Sequence, residues 1–487
     1  MLETLAKAAP IAETRLARSV APRAQQHPGQ SGIVELRDGR EAFAARVLLA
    51  DNAERTLDLQ YYIWRNDMSG ALLFAALCRA ADRGVRVRLL LDDNNTSGLD
   101  NFLGALASHP NIQVKLFNPF RLRRWRALEY LTDFFRLNRR MHNKSFTVDG
   151  QVAIVGGRNI GDEYFDAHQE MSFVDLDVMA VGPVVSEIAN DFERYWSSES
   201  ARPAAKILGR ANAATVREVI AAAERALQQQ PASVAYINAL QSCAFVTDLL
   251  TGTVDYRWAA TRLVSDDPAK GLGRQRPHGT LLERLIDTLN IPTRELELIS
   301  PYLVPTRAGE RALAELAGKS AVKVSILTNA LESTDVPIVH AGYAKRRRKM
   351  LKAGVVLYEL MRESRVRSRR DRRLTGSSGS SLHAKTFSVD CARVFVGSFN
   401  LDPRSASLNT EMGLVIESPA LAQRIAAAFA EEIPGRSYRV RLNASGAMEW
   451  LEPHENGVIV HKSEPGVSWW KRFAVALMAL LPIEWLL

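Results

Sequence analysis

A histidine, a lysine two positions on and an aspartate five beyond that occur at His142, Lys144 and Asp149. The same spacing returns 241 residues later at His383, Lys385 and Asp390. Each copy closes on a small-residue turn ending in asparagine, Gly156 to Asn159 and Gly397 to Asn400, and matched motifs at matched distances argue for an internal duplication. Two imidazoles and two ammonium groups converging on one pocket suit a tetrahedral phosphodiester. The lysines offset its charge, one neutral histidine attacks phosphorus, and the other, protonated, supplies a proton to the departing oxygen.

Asn159 and Asn400 can donate amide hydrogen bonds to the phosphoryl oxygens, and Ser398 adds a hydroxyl. Each imidazole also needs an acid on its far nitrogen to fix the tautomer. Asp177 and Glu411, on matching strands downstream of the two motifs, are the candidates, with Asp175 as the substitute for Asp177. Asp149 and Asp390 complete the two catalytic motifs but fall at turns facing away from the His-Lys side, where bonds to backbone or to a basic neighbour are expected. The chemistry calls for no metal and no cofactor: the nine histidines form no HExxH pattern, and the lysines bring the charge a cation would otherwise supply.

The elements that must hold these side chains follow from periodicity. Around Lys144 and Lys385 polar and apolar residues alternate, the period of a strand, so His and Lys at i and i+2 project from one face. Asp149 and Gly150 make a hairpin turn to a buried strand through Val155. The second copy turns at Asp390 and Cys391, so glycine is not essential there. Upstream, strand 55–64, helix 70–83 ended by Gly84, strand 85–91 and strand 112–117 repeat as 294–302, 308–317, 322–328 and 354–358. This order suggests parallel pairing with right-handed crossovers. The expected organisation is a polar lead-in over residues 1–34, a first α/β domain over 35–200, linker helices over 201–242, a second α/β domain over 243–450 and a C-terminal membrane-interface segment over 451–487.

The chain is long enough for two domains with their own cores, and 47% hydrophobic and 24% charged residues are ordinary for a globular protein. Cys78, Cys243 and Cys391 suggest neither a disulfide framework nor a thiolate metal site, and fit cytosol-facing surroundings. A formal charge of +9 and a pI near 9.5 imply an anionic partner. No stretch reaches the length of a membrane span. Two segments suit a membrane surface instead. Residues 121–140 mix arginines with Trp125, Tyr130, Phe134 and Phe135 and read as a basic amphipathic helix. Residues 469–487 carry Trp469, Trp470 and Trp485 around a short apolar helix.

The doubled motif with its trailing asparagine turns resembles the phospholipase D superfamily. Leu137–Asp149, Gly156–Phe165, Ser333–Ala344 and Phe399–Ser405 are similar to bacterial cardiolipin synthases, especially those of the C type, over most of residues 35–487. The resemblance implies two pseudo-symmetric α/β/α domains with the active site at their interface and a metal-free route through a phosphohistidine. It further implies His142 as nucleophile, His383 as acid, and transfer of a phosphatidyl group to phosphatidylglycerol, with phosphatidylethanolamine as donor. Attachment is expected to be peripheral, on the cytoplasmic face of the bacterial inner membrane. A nuclease using the same four residues is the competing reading, and the arginine-rich loop 365–373 could hold a phosphate backbone. Lipid is preferred because the tryptophan and leucine clusters serve a bilayer and do nothing evident for nucleic acid. Hydrolysis versus transfer and the oligomeric state are not readable from the residues.

Overall fold

The computed structural model describes residues 14–165, 171–209, 221, 238, 242–274, 279–319, 322–362, 379–481 and 484–487. The chain divides into two units, Met1–Ala167 with Asp177–Pro277, and His168–Leu176 with His278–Leu487. In chain order the strands of the first part are β1 (Ser31–Leu36), β2 (Thr56–Ile63), β3 (Arg86–Asn95), β4 (Ile112–Phe117), β5 (Ser145–Val148) and β6 (Val152–Gly156). There follow β7 (Met171–Val174), β8 (Asp177–Val181), β9 (Ala201–Pro203), β10 (Arg257–Ala259) and β11 (Thr261–Ser265).

The first unit is built on a nine-stranded sheet ordered β10-β1-β8-β6-β5-β2-β3-β4-β9. Only β2, β3 and β4 run parallel, and the hairpin that carries the first motif joins β2 antiparallel through β5. The sheet is therefore mixed, because a two-residue turn can return a strand only antiparallel. Between β2 and β3 the helix Met68–Asp82 starts at Asp67, whose carboxylate accepts from Gly70 N at 3.0 Å. It buries Leu73, Phe74, Ala76 and Leu77, and Gly84 stops it at φ 93°.

The second unit continues with β12 (Glu295–Ile299), β13 (Lys323–Asn329), β14 (Val356–Leu360), β15 (Gly379–Leu382), β16 (Thr386–Val389), β17 (Arg393–Gly397) and β18 (Met412–Glu417). It closes with β19 (Ser437–Leu442), β20 (Met448–His454) and β21 (Gly457–His461). Its sheet runs β18-β17-β16-β12-β13-β14-β19-β20-β21, with β12, β13 and β14 parallel and the β16–β17 hairpin antiparallel against β12. β7 and β15 form a separate parallel pair.

Four expectations need correction. The lead-in is not outside the fold: helix Arg15–Gln25 buries Leu16, Ala17 and Val20, an i, i+4 stripe, and β1 lies inside the first sheet between β10 and β8. The second half does not begin at 243, because β10 pairs with β1 of the first sheet. The linker expected from residue 201 starts as strand β9 on the edge of that sheet, most of the rest lying outside the described residues. The segment from 451 is partly sheet, since β20 and β21 extend the second sheet beyond β19.

Candidate active site

Both motifs fold alike. His142 and His383 are buried to 7% exposure, and Lys144 and Lys385 to 2% and 1%. Each lysine curls back so that Nζ donates to the main-chain carbonyl of its own motif histidine. This places the ammonium beside the imidazole, although the expected strand begins only after each lysine, at Ser145 and Thr386. In the first unit the Tyr62 ring stands edge-on to His142 with centroids 4.9 Å apart, and Lys144 Nζ lies 5.6 Å above that ring. In the second, Lys385 Nζ lies 3.0 Å from His383 Nδ1. Burial pushes the Lys385 ammonium down to about 8, against the pull of the Asp175 and Glu411 carboxylates.

The acid on His383 is Asp175, whose Oδ2 is 2.5 Å from Nδ1. With Nδ1 taken by a carboxylate, Nε2 is the nitrogen left for chemistry. The residue before it fixes the backbone as well: Val174 O accepts from His383 N at 2.8 Å and from Ala384 N at 3.0 Å. Segment 171–176 thus follows the first motif in sequence but belongs to the unit that holds the second.

Asp177 is not a histidine partner. It receives Arg46 Nη2 at 2.8 Å and Arg158 N at 3.2 Å, with Arg46 buried beside it and also bonded to Tyr61 at 3.0 Å. Strand register explains the misassignment. Gly156 pairs with Asp177, and Gly397, its counterpart, pairs with Gly413. Counting back two residues makes Asp175 the equivalent of Glu411. Alternation alone gives no way to choose between two aspartates two residues apart on one strand path.

Glu411 is fully buried and accepts from Ser398 Oγ, which also receives Met412 N at 3.0 Å. The Ser398 hydroxyl has Glu411 and Met412 O within reach as acceptors in its own unit, beside its expected contact to phosphate. Asn159 is held through one end of its amide. Its Oδ1 accepts from Ile63 N at 3.1 Å, and its buried Nδ2 has no hydrogen-bond partner among the described residues. Asn400 is buried at the matching turn.

The motif aspartates are backbone staples and touch neither histidine nor lysine. Asp149 accepts from the N–H groups of Glu54, Arg55 and Thr56 at 3.1, 2.7 and 2.9 Å. Asp390 accepts from those of Thr293, Arg294 and Glu295, which holds its carboxyl below the usual aspartate range despite the opposing effect of burial. Both sit at positive φ, 52° and 54°, followed by Gly150 at 63° and Cys391 at 50°. The same left-handed turn is thus made with and without glycine.

Of the two candidate membrane segments, the first departs from the expected single helix. Residues 121–140 form a 3₁₀ turn and two short helices, broken at Asp133, in place of one helix. Their arginines turn inward: Arg123 pairs with Asp93 and Asp100, Arg136 with Glu129 and Asp133, and Arg140 with Asp92. Trp125, Leu131 and Phe135 stay 67–81% exposed. In the second unit, helix Trp469–Met478 docks through Val475 onto Leu331 and Ala341. Its Trp469, Trp470, Phe473 and Leu477 face outward. His340, near the start of helix Pro337–Lys352, is an interior residue with Nε2 3.1 Å from Glu464 Oε1. The 365–373 loop lies outside the described residues. No helix among the described residues is long and apolar enough to cross a membrane.

A family model described as "Cardiolipin synthase, PLD-like domain" matches residues 48–196 and 285–433, one copy around each motif. The chain is 52% identical over 475 residues to cardiolipin synthase C of Escherichia coli K12, covering 97% of this chain and 100% of that protein. It is 24% identical over 421 residues to a cardiolipin synthase of Staphylococcus aureus Mu50, covering 85% of this chain and 70% of that one. Among solved structures, phosphatidylserine synthase of Haemophilus influenzae Rd KW20 superposes with a TM-score of 0.55 at 16% identity, over 86% of this chain and 91% of that one.

Proposed function

This chain belongs to the cardiolipin synthase, PLD-like domain family, and from that premise we propose how it works. It is a phosphatidyltransferase of phospholipid synthesis that makes cardiolipin. The donor is taken to be phosphatidylethanolamine and the acceptor phosphatidylglycerol. His142 Nε2 attacks the donor phosphorus, the bond from phosphorus to the ethanolamine oxygen breaks, and the His383 imidazolium gives its proton to that oxygen. In the second half the free glycerol hydroxyl of phosphatidylglycerol attacks the phosphohistidine, passes its proton to His383, and releases cardiolipin as the P–N bond breaks.

Each group has a task. Lys144 and Lys385 offset the phosphoryl charge, and Asn159 Nδ2 adds a donor. Asp175 holds His383 in the tautomer that presents Nε2 and stabilises its protonated form. No metal is needed on this route, since the ammonium groups carry the positive charge. The observation that carries the reading is the 2.5 Å contact of Asp175 with His383 Nδ1, an acid-imidazole pair beside a buried lysine within a repeated motif.

Membrane association comes with the lipid substrates. The exposed aromatic residues of 122–135 and 469–485 are proposed to insert at the cytoplasmic face of the inner membrane, with contact to anionic lipid. Purified protein incubated with phosphatidylglycerol vesicles, with and without phosphatidylethanolamine, tests the reading by mass spectrometry of the products. Cardiolipin that rises with phosphatidylethanolamine supports it. Phosphatidic acid alone reclassifies the protein as a hydrolase, and salt-sensitive cleavage of nucleic acid with no lipid product overturns the substrate class.

A further inference from the structure

In each unit the middle parallel strand carries, in its C-terminal part, a polar side chain that reaches the residue just before the motif histidine. Asp92, on β3, is fully buried, and its Oδ2 accepts from Met141 N at 2.8 Å. Asn329, on β13, is buried, with Oδ1 accepting from Leu382 N at 2.9 Å and Nδ2 donating to Leu382 O at 3.0 Å. Strand register makes the two equivalent. Leu57 pairs with Val87 and with Val148, and Leu296 pairs with Val324 and with Val389. Five residues on from Val87 and Val324 stand Asp92 and Asn329.

We propose that Asp92 and Asn329 are positioning residues for His142 and His383, each fixing the peptide that sets its imidazole against the phosphorus. The proposal takes the roles assigned above to the two histidines as its premise. The peptide that leads into each motif has polar groups to satisfy, and a side chain near the end of the middle parallel strand bonds it. The two copies differ in what they hold. Asn329 clamps both the N–H and the C=O of Leu382, whereas the Asp92 carboxylate can only accept, and its Oδ1 is used by Asn94 N at 2.8 Å with Arg140 Nη1 3.6 Å away. Asparagine at the Asp92 position can keep the acceptor for Met141 N while giving up the bond to Asn94 N and the charge facing Arg140, so its cost is expected in stability and not in the setting of the Met141 peptide. Aspartate fails at the Asn329 position, because a carboxylate oxygen would then face the Leu382 carbonyl with no proton between them.

The test compares Asp92→Ala, Asp92→Asn, Asn329→Ala and Asn329→Asp in the full chain. Rates are read on phosphatidylglycerol vesicles and on bis(4-nitrophenyl) phosphate, a soluble diester whose cleavage does not depend on the lipid acceptor. Displacing a reacting group by about 1 Å costs about 100-fold. Accordingly Asp92→Ala and both Asn329 variants are expected to lose about 10- to 100-fold in kcat with KM within about two-fold, and Asp92→Asn to stay within about three-fold of wild type. Histidine-ring NMR signals, which need no turnover, are expected to move in Asp92→Ala for His142 and in Asn329→Asp for His383, and to hold in Asp92→Asn. Folded Asp92→Ala and Asn329→Asp with wild-type kcat and unshifted rings overturn the proposal, as does Asp92→Asn falling as far as Asp92→Ala. Diester cleavage with this ordering but no cardiolipin removes the assigned acceptor and leaves the positioning role standing. Unshifted ring signals remove the positioning role even if cardiolipin forms.

Discussion

Asp175 Oδ2 lies 2.5 Å from His383 Nδ1, while Asp177, two residues on, is locked in a buried ion pair with Arg46 at 2.8 Å. Two neighbouring aspartates thus have separable tasks. Asp175→Asn should lower kcat about 10²- to 10⁴-fold, because an amide no longer stabilises the imidazolium, with little change in melting temperature. Asp177→Asn should do the reverse, costing about 3–5 kcal/mol of stability by leaving Arg46 buried without its charge partner. Steady-state kinetics and thermal unfolding of the two variants side by side check this.

On the proposed route Lys385 should set a basic limb. Its ammonium is held down to about 8 by burial, so it is charged below that pH and loses its proton above it. Phosphate binding should weaken on the alkaline side, giving a fall in kcat/KM with a midpoint near 8. Lys385→Met should lose activity at all pH values together with that limb. A pH-rate profile from about 6 to 10 reads the result.

The motif aspartates should behave as stabilisers. Asp149→Ala removes the acceptor of three backbone N–H groups and should cost about 3 kcal/mol. The fraction that remains folded should turn over at close to the wild-type rate. Denaturant unfolding combined with active-site titration separates the two effects.

Membrane binding should rest more on aromatic insertion than on charge, because the arginines of 121–140 are largely spent on internal carboxylates. Replacing Trp469, Trp470 and Phe473 together by alanine should weaken vesicle binding at least about 10-fold. Raising salt to about 0.5 M should remove only part of wild-type binding. Vesicle co-sedimentation at low and high salt measures both.

The duplication, the strand and helix order and the His-Lys pairs are legible in the residues because period-2 alternation and an exact repeat spacing are local signals. What escapes is set by pairing between distant segments. Asp175 and Asp177 share a strand path and differ only in where Gly156 falls in the ladder. Ser398 looks like a free hydroxyl until Glu411 is placed beside it. Asp92 and Asn329 sit in the C-terminal parts of their strands with no motif to mark them. The arginines of 121–140 read as a solvated basic face, yet Asp92, Asp93 and Asp100, the partners of Arg140 and Arg123, lie about 20 to 50 positions upstream, beyond the reach of a helical-periodicity argument.

The most direct test is the rate of cardiolipin formation by His142→Ala and His383→Ala, each measured as folded protein on mixed phosphatidylglycerol and phosphatidylethanolamine vesicles. If both imidazoles act on one phosphorus, each variant falls by several orders of magnitude, and His383→Ala alone still accumulates a phosphatidyl adduct on His142 in the mass spectrum after an acid-free quench. A variant of either histidine that keeps the wild-type rate contradicts the account.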